Sequence, residues 1–283
     1  MRHVFIAIAM ISLMVGLVAG PAAGSPGSTT SLTTIYDSTV KPLPANLPSV
    51  GAEAYSFNEF GDEVTLAPST PRRLKRVTVT LSSWGCEQGH WYSGDCVTTP
   101  GDTFAMPITL NIYKATNTDP STDPVLAGPL IATVTQTFNV PYRPSADPLC
   151  TGADAGKWFL NGSGCFNGLA HNVTFTFPFR TILPETVVYG LAYNTTHYGY
   201  NPIGESAACY TSSGGCPYDS LNIALSPTVT VGSKPYPDTV FQNAAVAGDY
   251  CDGTPLVGTF NLDSPTSACW GGYIPAVRFM AKA

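Results

Sequence analysis

Charge is scarce in this chain. Only 11% of its 283 residues are Asp, Glu, Lys or Arg, and the net charge is −6. A weakly acidic surface has no electrostatic hold on phosphate backbones, which excludes nucleic acid as a partner. Long hydrophobic runs are missing too. The longest, Val4 to Val18, has 15 residues, short of the roughly 20 that cross a bilayer as a helix. No segment places about ten residues at helical spacing between caps, so helices are not expected in the fold. Catalytic signatures are also lacking: there is no His-Glu-x-x-His, no glycine-rich phosphate loop and no Asp-rich calcium loop. A catalytic triad could draw only on His90, His171 or His197, because His3 is the one remaining histidine and lies at the start. The nearest approach to a nucleophile elbow, Gly204-Glu205-Ser206-Ala207-Ala208, lacks the last glycine. It follows Asn201-Pro202 inside a cysteine-rich loop, not the strand-turn-helix that the motif needs. No cofactor is expected.

What is present begins with a leader. Arg2 and His3 precede the apolar run, and Ala19-Gly20-Pro21-Ala22-Ala23-Gly24-Ser25 follows with small residues and a helix breaker. This order is that of a secretory signal peptide, with the cut expected near Gly24. Residues 1–24 are then the signal, and Ser25 to Thr33 is a flexible Ser/Thr/Gly-rich lead. Residues 34–283 are left as one extracellular domain with no membrane span. Losing Arg2 leaves 12 basic and 19 acidic residues, a net charge of −7. All eight cysteines lie in the exported part: Cys86, Cys96, Cys150, Cys165, Cys209, Cys216, Cys251 and Cys269. An even count behind an export signal reads as a disulfide framework. Taken in order, they form four close couples, each inside one loop, and local couples close with the least loop entropy. Zinc is disfavoured, since the closest couple, Cys209 and Cys216, is spaced too widely for a structural site. Glu87, His90 and Asp95 lie close together, but they read as loop polarity and not as metal ligands.

Elsewhere the dominant period is two. It runs through Val77, Val79 and Leu81; Ile108, Leu110 and Ile112; Leu130, Ala132, Val134 and Phe138; Val173, Phe175 and Phe177; Val187, Tyr189, Leu191 and Tyr193; and Leu221, Ile223 and Leu225. Thr78 and Thr80 take the alternate, outward positions. The 25 prolines and 27 glycines fall mostly between these runs, as turn punctuation. About nine to eleven strands with polar outer faces imply an all-β, jelly-roll-like antiparallel sandwich with disulfide-stapled loops. A pair of smaller sandwiches is the alternative, with its seam at Pro141 to Gly168. High apolar content, 44%, excludes disorder.

Phe57-Asn58-Glu59-Phe60-Gly61-Asp62-Glu63-Val64-Thr65-Leu66, followed by Arg72-Arg73-Leu74-Lys75-Arg76-Val77-Thr78-Val79-Thr80-Leu81-Ser82-Ser83, resembles the opening strands of choice-of-anchor-type extracellular domains. Trp84-Gly85-Cys86 and Asn194-Thr195-Thr196-His197-Tyr198-Gly199-Tyr200 resemble uncharacterised secreted bacterial β-sandwich proteins. The resemblance implies a fold and an extracellular place, and brings no site residues with it.

The strongest functional signal is aromatic. Trp91 and Tyr92 sit between Cys86 and Cys96, and His197, Tyr198 and Tyr200 crowd a second turn-rich region. Flat rings interleaved with His90, Asp95, Asn194 and Asn201 are the mixture a sugar site needs, and rigid scaffolds carry such sites on their loops. The competing use of the same rings is packing beside a staple. The first reading is thus a non-enzymatic module that binds polysaccharide or another cell-surface ligand. The second is a structural or adhesive envelope protein. The third is a carbohydrate-active hydrolase drawing on Glu59, Asp62, Glu63, Glu185 or Glu205, whose separations a sequence does not reveal.

Overall fold

A computed structural model of the chain describes residues 31–52, 57–116, 125–178, 180–193, 221–244, 256–263 and 270–282. Its strands are β1 (Thr33–Asp37), β2 (Ser49–Gly51), β3 (Phe57–Thr65), β4 (Arg73–Ser83), β5 (Thr103–Lys114), β6 (Leu130–Pro141), β7 (Trp158–Leu160), β8 (Gly164–Phe166), β9 (Leu169–Thr176), β10 (Thr186–Ala192), β11 (Leu221–Ser226), β12 (Phe241–Ala244), β13 (Asn261–Leu262), β14 (Ile274–Pro275) and β15 (Val277–Lys282). Ten of these have four or more residues, and the other five are short pieces of two or three. The one helical segment among the described residues is a single 3-10 turn, Gly152–Asp154.

The strands pair antiparallel into two large sheets and one small hairpin. The first sheet has seven strands, in the order β1-β15-β4-β11-β14, with β2 beside β11 and β9 along the other flank of β4. β15 and β11 share one flank of β4, meeting Arg73 to Val79 and Leu81 to Ser83 respectively. Ala276 closes this fork: its N–H donates to the Ala224 carbonyl at 2.9 Å, and its carbonyl accepts the Thr80 N–H at 2.9 Å. The second sheet has six strands in the order β13-β12-β3-β10-β5-β6. The sheets curl toward each other where β6 and β9 meet. There the Gln136 side chain accepts the Thr176 N–H at 2.8 Å, and the Phe138 and Phe175 rings stand edge-on at 4.9 Å.

The alternating runs supply the core between the sheets. Val77, Val79, Leu81, Ile108, Leu110, Val173, Phe175, Leu191 and Ile223 are all buried in it. Each large apolar side chain removed from water contributes about 1.5–3 kcal/mol. Two sequence expectations fail at this level. Leu130, read as inward, is 53% exposed, because it starts the outermost strand of its sheet. Thr78 and Thr80, read as solvent-facing, are buried. They lie on the central strand of the first sheet, opposite Thr174 and Asn172, and bond those side chains at 2.9 and 2.8 Å. The second sheet is also covered on its outer face. Val125, Val188, Phe241 and Leu262 form a small cluster there, with Tyr113 and Phe260 against it.

Candidate functional site

Both staples lie at one end of the sandwich. Cys86 is bonded to Cys96, and Cys150 to Cys165. Cys209, Cys216, Cys251 and Cys269 lie outside the described residues. The second staple anchors the β7–β8 hairpin, in which Trp158 opposes Phe166 and Phe159 opposes Cys165. The two stapled loops are sewn together by backbone. Ala146 N–H donates to the Cys96 carbonyl at 2.8 Å, and Arg143 N–H to the Gly85 carbonyl at 2.9 Å. Thr98 N–H donates to Ser145 Oγ at 2.9 Å. The Arg143 guanidinium is fully buried, and its Nη2 donates to the Gly156 carbonyl at 2.8 Å. The segment 141–168 is therefore tied into the sandwich at several points.

Beside these loops, between segments 98–102 and 141–147 and the β7 strand, opens a cleft of about 510 Å³, within the range of small-ligand sites. Its rings are Tyr142, Trp158 and Phe159, and its polar groups include Asp102, Ser145 and Asp147. Trp158 is buried and donates its indole N–H to the Gly168 carbonyl at 2.8 Å, which fixes the ring. Tyr142 packs on Phe104 at 4.9 Å. Burial first, then the charges of Glu87 and Asp102, raise its pKa, so the hydroxyl stays protonated as a donor. Phe159 is half-buried. A smaller cleft of about 360 Å³ lies beside the same hairpin, lined among others by Asn46, Trp84, Phe166 and Asn167. Arg143 and Trp158 are thus the fixed frame, while Phe159, Tyr142, Asp102 and Ser145 line the space beside it.

Of the residues expected from the sequence, Trp91 and Tyr92 sit nearby but line neither of these two clefts. Trp91 stands edge-on to Trp84 at 4.6 Å, and Tyr92 stacks on His90 at 4.9 Å. Trp91 is half-buried and Tyr92 is 47% exposed. Asp95 accepts the His90 backbone N–H at 2.8 Å, and Glu87 that of Thr99 at 2.5 Å. These two carboxylates hold the loop's own backbone. His197, Tyr198 and Tyr200 lie outside the described residues. The carboxyls of β3 are remote in role. Glu59 accepts from Asn111 and Tyr113 at 2.9 Å each, and burial raises its pKa. The cleft residues were missed because Trp158-Phe159 lies in a segment read as a seam. Two adjacent rings between Cys150 and Cys165 were the available signal.

Searches of known protein families, curated proteins and solved structures returned no match. Fold and site define the class: an antiparallel β-sandwich with a disulfide-stapled, ring-lined cleft at one end. Two formed disulfides belong to an oxidising compartment. Among the described residues no helix is long and apolar enough to cross a membrane.

Proposed function

We propose that the protein is a secreted, non-enzymatic binding module that takes a carbohydrate or similar surface ligand in its stapled end. The observation carrying this reading is the cleft beside the stapled loops, where Tyr142, Trp158 and Phe159 meet Asp102, Ser145 and Asp147. Sugars present flat apolar faces rimmed by hydroxyls. Rings answer the first and directed carboxylates and hydroxyls the second. The staples hold the rings in place before binding, which lowers the ordering cost of association. The exposed Tyr92 and its neighbours Trp91 and His90 extend the aromatic surface along the same end. Kinship with the choice-of-anchor domains of bacterial surfaces is part of this reading, and rests on the sequences of β3 and β4, which carry the resembling residues.

The test is a glycan array and polysaccharide pull-down on the exported protein, repeated with Phe159→Ala and Asp102→Asn. Binding lost in both variants at an unchanged melting temperature is the expected outcome. A parent protein that retains no glycan at all would leave the structural or adhesive reading in its place.

A further inference from the structure

Asp62 belongs to the inward set of β3, between Phe60 and Val64, where the alternation calls for an apolar side chain. It is 1% exposed. Lys234 follows Ser233, which bridges to Thr65 at the end of β3. Its Nζ lies 2.8 Å from Asp62 Oδ2, with the two side chains 7% and 1% exposed. Lys234 Nζ also donates to the Thr239 carbonyl, and Asp62 Oδ1 accepts the Glu63 backbone N–H at 2.9 Å. The surroundings are aromatic. Tyr189 is the cross-strand partner of Asp62, and Tyr189 and Tyr36 both pack edge-on against Phe279. The Tyr189 hydroxyl is buried, with no hydrogen-bond partner among the described residues.

An ion pair this deep recovers its desolvation cost only with excellent geometry and further hydrogen bonds. Burial is the largest influence on Asp62 and pushes its pKa up to about 6 despite the neighbouring ammonium. Burial thus favours the protonated, uncharged carboxyl of Asp62 beside the Lys234 nitrogen. An amine and an acid held in contact in a dry site have a very high effective concentration.

We propose that Lys234 and Asp62 condense into an intramolecular amide bond that staples β3 to the 231–240 segment. A proton first passes from the ammonium to the carboxylate, leaving the amine's lone pair free. Nζ attacks Asp62 Cγ, forming the C–N bond, and the negative charge grows on Oδ1, where the Glu63 N–H already stands to receive it. The Cγ–Oδ2 bond then breaks, and Oδ2 leaves as water with two of the three ammonium protons, the third staying on the amide nitrogen. Ammonium plus carboxylate thus become amide plus water, with no oxidant, cofactor or second substrate. The bond is independent of any ligand at the stapled end.

Mass spectrometry of the reduced, alkylated full chain after chymotrypsin decides the matter. Cleavage after Phe60 and Leu66 frees the Asp62 segment. The expected product is a branched peptide joining that segment to the one holding Lys234, lighter than the two together by one water. The Lys234→Met variant should give only linear peptides, and its digest reads out whether or not that variant folds. Linear peptides of full mass from the parent chain would overturn the proposal and leave an ordinary buried ion pair. So would a water loss that persists in Lys234→Met.

Discussion

Three carboxyls follow one another along β3 and meet three environments. Glu59 leans across Gly190 toward Asn111 and Tyr113, and a side chain at Gly190 would place its Cβ 2.1 Å from Glu59 Oε1. Asp62 faces the opposite way, into the sandwich, toward Lys234. Glu63 is buried opposite Val188, and its Oε2 has no hydrogen-bond partner among the described residues. Burial first, and the Asp62 charge second, raise its pKa from 4.5 to about 7. The folded chain then holds this proton more tightly than the unfolded one. Its contribution to stability is fully present below about pH 4.5 and is lost as pH rises through 7. Glu63→Gln should accordingly melt higher than the parent at pH 8, with the difference closing at pH 5. Thermal melts at both values check this, and equal gaps would refute it. Phe175 sits at the other extreme, wholly apolar and 0% exposed. Phe175→Ala should cost about 3–5 kcal/mol in urea denaturation, since the void between the curled sheet edges cannot close fully.

At the scale of elements, the strands were the most legible part of the chain. Period-two runs such as Val77-x-Val79-x-Leu81 and Val173-x-Phe175 announce one buried face, and both became core strands. Their opposite faces were misjudged at Thr78 and Thr80, because an alternating pattern does not say whether neighbouring strands will cover the polar side. The stapled loops show the same division. Spacing pointed to Cys86–Cys96 and Cys150–Cys165, and both bonds are present. That the two loops would lean on each other was not visible. They touch at Gly94 and Gly156, where a Cβ on Gly156 would stand 2.5 Å from Gly94 Cα, at a backbone φ of +83°. Gly156→Ala should therefore destabilise the protein by about 1–3 kcal/mol and loosen the cleft. Equilibrium unfolding measures the first effect. Faster proteolysis between residues 141 and 168, compared with the parent, measures the second.

For the whole molecule, the sandwich and its staples make one argument. A chain so poor in charge gains its stability from β-sheet burial and local staples, and such staples persist only where thiols oxidise. N-terminal sequencing of protein recovered outside the cell should begin near Ser25. Recovery with Met1 still attached, in a membrane fraction, would refute the signal-peptide reading. The sequence by itself determined the all-β class, the antiparallel sandwich and most of the apolar core faces, and it pointed to the first two staples. Each follows from local rules: side-chain period, turn residues and short loop closure. Only the tertiary structure decided which rings share a cleft, since Tyr142 and Trp158 meet Asp102 through two loops packed from different parts of the chain. It also decided that Asp62 meets Lys234. These residues lie far apart along the chain, and only the return of the 231–240 segment to the end of β3 brings amine and acid into contact.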